Sequence, residues 1–346
     1  MPQNQAQDQY VISHRRHSQI VCNSLHKPRI AVLIPCYNEA GAIECAVRDF
    51  ARSLPDATIY VYDNNSTDDT KVLATQAGAI VRTETLQGKG NVVRRMFADI
   101  EAEVYVLVDG DGTYDAASAA TMVDYLLTNS LDMVNGARVA VSNQAFRRGH
   151  ELGNKLLTGT VAMIFGDRLS DMLSGYRVFS RRFVKSFPAL ASGFETETEL
   201  TVHALELRLP IAEIQTPYRD RPVGSCSKLR TFRDGFKILR TILLLVKEER
   251  PLRFFSLVAA ALIVTSLALG WPLVTEFIAT GLVPRIPTAV LATGLIILAF
   301  VSFTAGLILD TVTHGRREMK RLHYLGLQGP TFRERRRTSN AVTELP

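Results

Sequence analysis

The sequence lacks the motifs of several common classes of protein. Its four cysteines lie far apart and form no CxxC pair, which excludes a zinc knuckle and a thioredoxin-type redox motif: they are Cys22, Cys36, Cys45 and Cys226. Neither GxGxxG nor GxxxxGKS/T occurs, so classical dinucleotide-binding and P-loop chemistry are not expected. Scattered cysteines fit a reducing compartment.

Length and composition set further limits. With 346 residues, 47% of them hydrophobic and 21% charged, the chain is too long for one small domain and too apolar for a disordered protein. Residues 1–28 are predicted to be a disordered tail, and they contain no apolar stretch that would act as a cleavable secretory signal. The formal charge of +6 comes from cations that cluster late in the chain, and no nucleic-acid partner is expected.

Two long apolar runs stand near the end of the chain. Phe254 to Thr275 and Ile286 to Leu309 contain 22 and 24 residues without a formal charge, and each is long enough to cross a bilayer. Buried helices of a soluble core are the alternative, but such helices usually keep a polar stripe. We therefore predict a transmembrane hairpin over residues 254–310, acting as an anchor, with a homo-oligomer as a candidate assembly.

Cations flank this pair of runs on its outer sides: Lys247, Arg250, Arg253, Arg316, Arg317, Lys320 and Arg321. By the positive-inside rule both flanks are cytosolic. The prediction is an integral membrane protein with a cytosolic catalytic domain, a basic cytosolic tail over residues 311–346 and both termini in the cytosol.

Residues 229–253 form a predicted amphipathic juxtamembrane segment. Apolar side chains recur there at steps of three and four with cations between them. A core-facing helix would show the same stripe, but the position directly before a membrane span favours a helix in the headgroup layer.

Residues 29–228 are predicted to form one α/β domain. Strands are expected at Ile30–Ile34, Thr58–Asp63, Ala79–Thr83, Val104–Asp109 and Met133–Ala137, with helices near Ala42–Ser53, Asp68–Gln76, Gly90–Ile100 and Ala116–Thr128. Such alternation predicts a mostly parallel sheet covered by helices on both faces, with ligands bound at the carboxyl ends of the strands.

Polar clusters follow three of these strands: Pro35 to Glu39, Asp63 to Asp68, and Asp109 to Gly112. A strand-end aspartate can accept hydrogen bonds from a nucleobase or ribose, and two carboxylates on a glycine turn can hold a divalent cation against a diphosphate. Each cluster alone could be an Asx turn, a helix cap or an acidic turn. Lys89, at the start of a predicted helix, is well placed for a phosphate.

The order of motifs resembles a known family. CYNE, DNNSTDDT, GKG, DGDG, SGYR at Ser174 to Arg177 and GSCSK at Gly224 to Lys228, followed by a membrane hairpin, are similar to the polyprenyl-phosphate glycosyltransferases. These are family 2 inverting enzymes of the dolichol-phosphate mannosyltransferase type with a GT-A fold, and the resemblance covers about residues 29–255. It implies transfer of one sugar from a nucleotide-sugar donor to the phosphate of a membrane polyprenol.

The resemblance also implies a set of site residues. Those for the donor are Pro35, Tyr37, Asn38, Glu39, Asp63, Asn64, Lys89, Asp109, Gly110, Arg177, Arg221 and Lys228. Asp109 and Asp111 would hold Mg²⁺ or Mn²⁺, and the acceptor phosphate would bind Arg138, Arg147 and Arg148. Asp111, Arg138 and Arg148 are the implied catalytic set.

Some positions depart from the family pattern. Asn64 stands where a second aspartate is common, and Thr113 where many mannosyl members have glutamine. These two departures leave the identity of the donor nucleotide and of the sugar undecided, with a slight preference for a UDP-sugar. The match between Arg219 and Arg221 is ambiguous because the following segment is one residue longer than in some relatives.

The expected chemistry follows from the acceptor. A phosphate monoester is already a nucleophile at pH 7, so no general base is required. Glu195, Glu197 and Glu199 could touch the sugar or act as a base, but structural or helix-start roles are favoured. A processive polysaccharide synthase is disfavoured because QxxRW is absent, and a noncatalytic scaffold and a peripheral soluble glycosyltransferase remain as further alternatives.

Overall fold

The computed structural model describes residues 27–140, 159, 169–190, 193, 195–219, 244 and 246–329. The strands are β1 (Ile30–Cys36), β2 (Thr58–Asp63), β3 (Ile80–Thr83), β4 (Val104–Leu107), β5 (Met133–Ala140), β6 (Arg177–Ser180) and β7 (Ile211–Tyr218). The helices are α1 (Ile43–Ser53), α2 (Thr70–Gln76), α3 (Lys89–Asp99), α4 (Ser118–Thr128), α5 (Arg181–Ser186), α6 (Thr196–Glu206), α7 (Pro251–Thr280) and α8 (Ile286–Leu325). Most of the predicted amphipathic segment 229–253 lies outside the described residues.

Within the described ranges, the strands form one sheet in the order β3-β2-β1-β4-β6-β5-β7. The prediction of a mostly parallel sheet is confirmed, since only β6 runs antiparallel to its neighbours β4 and β5. Because the other strands share one direction, the residues that follow β1, β2 and β4 meet at one edge of the sheet.

The sheet is buried on both faces. In β1, Val32 and Ile34 pack into one hydrophobic cluster, and Ala31 and Leu33 pack into a second one on the opposite face. This is the period of two that a strand imposes on its side chains. Helices α1 and α4 cover the first face, and α3, α5 and α6 cover the second.

Helix α1 shows why these segments become helical. Its buried residues Ile43, Ala46, Val47 and Phe50 follow the i, i+3, i+4, i+7 spacing that places side chains on one helical face. That apolar face packs against β1 and β2, which leaves the charged residues of the helix toward solvent.

Helices α7 and α8 are both long and apolar enough to cross a membrane, with mean hydropathies of 2.2 and 2.3. Only 17% of the most apolar stretch of each helix is buried within the protein. They pack antiparallel through small residues at heptad spacing, Ala259 and Ser266 in α7 and Ala292, Ala299 and Gly306 in α8. A Cβ atom at Gly306 would lie 2.8 Å from Cβ of Phe255, so the helix backbones approach closely there. By length and composition, the pair could form a transmembrane hairpin.

Candidate active site

Asp63 ends β2 with a fully buried carboxylate. Its Oδ2 atom accepts a hydrogen bond from the Ser66 amide at 3.1 Å and lies 3.3 Å from Lys71 Nζ. Its Oδ1 atom is buried and has no hydrogen-bond partner among the described residues. A buried acceptor without a donor is costly, so this oxygen is suited to an N–H or O–H group of a ligand.

Two loops beside Asp63 are joined by hydrogen bonds. The Thr67 amide donates to Asn38 Oδ1 at 2.8 Å, and the Glu39 amide donates to Thr70 Oγ1 at 2.9 Å. The Tyr37 ring stays partly exposed next to these contacts. The structure therefore brings together five of the predicted donor residues, at the ends of β1 and β2: Pro35, Tyr37, Asn38, Glu39 and Asp63.

Asn64 shapes the loop that leads to Lys89. Its side-chain amide donates to the carbonyls of Glu84 and Leu86 at 2.9 and 2.8 Å, and its Oδ1 atom accepts from the Gly88 amide at 2.7 Å. An aspartate could not donate to the two carbonyls, which gives a physical reason for asparagine at this position. Asn64 is buried and positions the loop.

Lys89 lies between two carboxylates. Its ammonium group donates to Asp109 Oδ1 and to Glu197 Oε1, and 10% of its side chain is exposed. Burial alone would lower the pKa of Lys89, but the attraction of Asp109 and Glu197 outweighs it and raises that pKa above its ordinary value. Lys89 is therefore a fixed cation, as its predicted place near a diphosphate requires.

Glu197 is one of the three glutamates that the sequence marks as candidate sugar contacts or bases, with a helix-start role favoured. It stands in the first turn of α6, as the helix-start interpretation expects, and it also pairs with Lys89. Its Oε2 atom is buried without a hydrogen-bond partner in the part of the chain that is described. The three glutamates of GFETETEL marked the segment, but only the tertiary structure distinguishes the one that reaches the site.

The acidic turn after β4 holds Asp109 and Asp111. Thr113 donates its hydroxyl to Asp111 Oδ1 at 2.6 Å, so that this hydroxyl orients the carboxylate. A Cβ atom on Gly110 would lie 2.5 Å from Cys36 Sγ, so the first glycine of the turn is required for the close approach to β1.

These residues fit a hard divalent cation. Carboxylate oxygens are preferred ligands of Mg²⁺ and Mn²⁺. The described residues contain no group of three or more His, Cys, Asp or Glu that could hold a metal by itself. Asp109 and Asp111 would therefore supply two carboxylates, and the remaining ligands would come from a bound diphosphate and water.

The SGYR segment packs against the acidic turn that contains Asp109 and Asp111. A Cβ atom at Gly175 would lie 2.3 Å from Asp109 Oδ2, so glycine is needed for the aspartate to occupy its position. The Gly175 amide donates to the Tyr114 hydroxyl at 2.8 Å. The motif thus contacts the site through its glycine.

Arg177, which the resemblance places among the donor residues, has a buried side chain between β6 and α6. Its guanidinium is fully buried and donates to the carbonyls of Met172 and Ser174 and to Thr201 Oγ1, at 2.5, 3.1 and 2.8 Å. Burial lowers the pKa of Arg177 to about 10. These contacts tie β6 to α6, so Arg177 has a structural role.

Arg138 in β5 is held by Asp171. Its Nε and Nη2 atoms donate to the two carboxylate oxygens at 2.7 and 2.8 Å, and the guanidinium lies 5.5 Å from the centre of the Tyr218 ring. Burial disfavours its charge, but the hydrogen bonds with Asp171 raise the pKa of Arg138. Arg147 and Arg148, the other predicted acceptor ligands, lie outside the described residues.

Arg219 lies beside the acidic turn. Its amide donates to the Thr113 carbonyl at 2.8 Å, and its Nη2 atom is 3.1 Å from Asp115 Oδ1. Arg221 and Lys228 lie outside the described residues, so the structure locates one member of the ambiguous pair, Arg219, near the site.

Comparison with known proteins agrees with this geometry. Residues 31–187 match the family described as Glycosyl transferase family 2. The chain is 55% identical over 154 residues to an uncharacterized protein of Shigella flexneri, covering 44% of this chain and 94% of that protein. It is 33% identical over 299 residues to Glycosyltransferase AglJ of Haloferax volcanii, covering 86% of this chain and 98% of AglJ.

Among solved structures, glucosyl-3-phosphoglycerate synthase of Mycobacterium tuberculosis, in complex with phosphoglyceric acid, aligns with a TM-score of 0.52 at 24% identity. The alignment covers 63% of this chain and 79% of that one. The same enzyme in complex with Mn²⁺, UDP-glucose and phosphoglyceric acid aligns with a TM-score of 0.50 at 24% identity, with the same coverage. This likeness establishes the GT-A type of fold.

The chain belongs to glycosyl transferase family 2. It is a nucleotide-sugar-dependent glycosyltransferase with a GT-A domain followed by two apolar helices.

Proposed function

We propose that this enzyme transfers a single sugar, with inversion, from a nucleotide-sugar to the phosphate of a membrane polyprenol, either undecaprenyl or dolichyl phosphate. The observation that carries the acceptor assignment is the pair of apolar helices α7 and α8, whose surfaces are mostly exposed and which lie on the C-terminal side of the nucleotide-sugar domain. Exposed apolar surface on this scale needs a lipid environment. A glycosyltransferase anchored in this way meets lipid-borne acceptors at the bilayer surface.

The donor would bind along the carboxyl edge of the sheet. Asp63 Oδ1, buried without a partner among the described residues, would accept a hydrogen bond from the nucleobase. The loops that contain Tyr37 and Asn38 would surround the nucleoside, and Lys89 would neutralise the diphosphate. The Asn64 and Thr113 departures favour a UDP-sugar slightly over a GDP-sugar.

A divalent cation, Mg²⁺ or Mn²⁺, would be held by Asp109 and Asp111. When bound, it supplies positive charge that stabilises the leaving diphosphate. In the structure, Lys89 forms ion pairs with both Asp109 and Glu197. Because Glu197 is a second carboxylate for the ammonium group, Lys89 can remain at the site as a cation for the diphosphate while Asp109 serves the metal.

The acceptor phosphate would be bound by Arg138, Arg147 and Arg148. One of its oxygens attacks the anomeric carbon, a C–O bond forms there, and the bond from that carbon to the diphosphate breaks with the electron pair leaving on the nucleoside diphosphate. No protein base is needed, because the second pKa of a phosphate monoester is near 6. The enzyme contributes alignment and charge stabilisation.

The experiment is a donor and acceptor screen on the full chain in detergent. UDP-glucose, UDP-N-acetylglucosamine, UDP-galactose and GDP-mannose are each incubated with polyprenyl phosphate and Mn²⁺ or Mg²⁺, and the lipid products are identified by mass spectrometry. One lipid-phosphate sugar, lost on chelation, supports the proposal. A parallel arm contains 3-phosphoglycerate, and sugar transfer to that soluble acceptor alone contradicts the lipid assignment.

The role of Arg138 needs a matched variant, because its removal leaves the Asp171 carboxylate without its partner guanidinium. We therefore compare Arg138→Ala with the double variant Arg138→Ala/Asp171→Ala. If Arg138 binds the acceptor, both variants raise KM for polyprenyl phosphate by about tenfold or more, while donor affinity changes little. Recovery of the wild-type KM in the double variant would assign Arg138 to structural support.

A further inference from the structure

The last part of α8 extends well beyond the length that a membrane span requires. At about 1.5 Å per residue a helix of this length reaches about 60 Å, roughly twice the hydrocarbon thickness of a bilayer, and α8 has 40 residues. The apolar run ends near Leu309, so Asp310–Leu325 projects as a continuous helix toward the nucleotide-sugar domain. We call this part of α8 the strut.

The strut continues the helical face that packs against α7. Ala292, Ala299, Gly306 and Thr313 are buried at steps of seven, and the next step is Lys320. Four residues beyond Lys320 stands Tyr324, which is also buried. A single face of α8 therefore packs against α7 along the apolar half of α8 and against the catalytic domain along the strut.

Ionic contacts join the first turns of the strut to Glu249, which precedes α7, and to the end of α6 in the domain. Arg316 and Arg317 pair with Glu249 at 3.0 and 2.9 Å. Lys320 Nζ lies 2.7 Å from Glu206 Oε2, and Arg317 Nε lies 3.4 Å from Glu206 Oε1. The Glu206 side chain is fully buried, and in the described part of the chain both of its cationic partners come from the strut.

The end of the strut enters the domain itself. Tyr324 donates its hydroxyl to the buried Asp132 at 2.6 Å, and the guanidinium of Arg182 lies 4.3 Å from the centre of its ring. Tyr324 packs in the same hydrophobic cluster as Phe183 and Leu200. The strut thus fills a place in the core that the domain alone leaves open.

These contacts lie away from the donor site. Asp132 directly precedes β5, at the amino edge of the parallel strands, whereas Asp63 and Asp109 follow β2 and β4 at the carboxyl edge. Helix α6 connects the two regions, because Glu197 in its first turn pairs with Lys89 and Glu206 at its end pairs with Lys320. The strut therefore holds the element that also supports Lys89.

We propose that the strut is a rigid positioning element that fixes the catalytic domain at one distance and rotation relative to the membrane, so that the acceptor site stays where polyprenyl phosphates are presented. This inference rests on the proposed membrane acceptor. Rigid attachment confines the site to productive orientations, which raises the effective concentration of a lipid-borne phosphate. Lys320 and Tyr324 act as positioning residues through Glu206 and Asp132.

The first test measures the attachment directly. Spin labels are introduced by Gln76→Cys in the domain and Thr311→Cys at the base of the strut, in a background without other exposed cysteines, and the full chain is placed in lipid nanodiscs. Double electron–electron resonance should give a narrow distance distribution. Lys320→Ala/Tyr324→Ala should broaden it at least about twofold, since the ion pair with Glu206 and the buried contact with Asp132 are lost.

The matched control is Arg321→Ala/Leu325→Ala, which removes one cation and one large side chain from neighbouring, exposed positions of the same helix. It should keep the narrow distribution. If the double variant fails to fold, Tyr324→Phe removes only the hydroxyl bonded to Asp132 and should give an intermediate width. Equal widths in the wild type, Lys320→Ala/Tyr324→Ala and Tyr324→Phe would overturn the proposal.

The second test separates positioning from general damage. With polyprenyl phosphate in vesicles, Lys320→Ala/Tyr324→Ala should lower kcat/KM by about tenfold, whereas a short-chain, water-soluble isoprenyl phosphate should be used within about twofold of the wild-type rate. Affinity for UDP or GDP should not change. Equal losses with both acceptors would refute positioning, since a damaged site fails with any acceptor.

The two proposals fail in different ways. If the wild type transfers sugar to neither phosphate, the membrane-acceptor function is wrong and the positioning role falls with it, although the label distances still report the rigidity of the strut. If transfer to polyprenyl phosphate occurs and the distance distributions do not change, only the positioning proposal is wrong.

Discussion

Removing the Lys89 ammonium should destabilise the domain strongly, because it lies between two carboxylates with little exposure to solvent. In Lys89→Met the Asp109 and Glu197 side chains, 29% and 8% exposed, lose their common cation. Breaking a buried ion pair by removing one partner costs about 3–5 kcal/mol, and the partial exposure of Asp109 favours the lower end. At about 2–4 °C per kcal/mol for a domain of this size, the melting temperature should fall by roughly 6–12 °C.

Circular dichroism of the full chain in detergent is the suitable assay, since the only tryptophan, Trp271, lies in α7 and would report on the apolar helices. The matched control is Arg95→Met on the same helix, which removes an exposed cation paired with Asp99 and should leave the melting temperature close to that of the wild type. The double variant Lys89→Met/Glu197→Gln should recover about 1–2 kcal/mol, since it neutralises one stranded carboxylate.

The pH dependence provides an independent check. The pKa of Lys89 is raised in the folded protein, so its stabilisation is fully present below its unfolded value of 10.5 and is lost only above that pH. The difference in melting temperature between wild type and Lys89→Met should therefore stay constant from pH 7 to pH 10. Equal melting temperatures for Lys89→Met and Arg95→Met, or no recovery in the double variant, would refute the reasoning.

Three further predictions concern the site and its support. Asp111→Asn should lower kcat by about 10³-fold or more while the circular dichroism spectrum stays unchanged, and retained activity would remove the metal role assigned to this carboxylate. Gly175→Ala should abolish measurable nucleotide binding in calorimetry, because its Cβ would lie 2.3 Å from Asp109 Oδ2, and normal affinity would contradict the need for glycine. Burial lowers the pKa of His203 to about 3, so that the folded protein binds fewer protons than the unfolded chain below pH 6.5. Stability should then fall as the pH drops below 6.5, with a slope that approaches about 1.4 kcal/mol per pH unit near pH 5. His203→Gln should flatten this slope between pH 6.5 and pH 5 in denaturant titrations, and an unchanged slope would show that other groups cause the acid loss.

Features that depend on local pattern were predictable from the sequence. Strand β2 spans Thr58–Asp63 as expected, and α1 begins within one residue of its predicted start, because alternating or helically spaced apolar side chains specify an element without reference to the rest of the chain. The convergence of the Asp63 and Asp109 motifs also followed, since parallel strands bring their carboxyl ends to one edge.

The sequence by itself determined the mostly parallel sheet, the acidic edge and the two apolar helices. Only the tertiary structure decided the insertion of β6 between β4 and β5, the burial of Arg177, the pairing of Lys89 with Glu197 and the docking of Tyr324 on Asp132. Partners that decide these features lie far apart in sequence: 24 residues separate Arg177 from Thr201, 108 separate Lys89 from Glu197, and 192 separate Asp132 from Tyr324. The sequence does not show whether a charged side chain is exposed to solvent or paired with a buried partner. The packing of elements that are distant in sequence decides between these two environments.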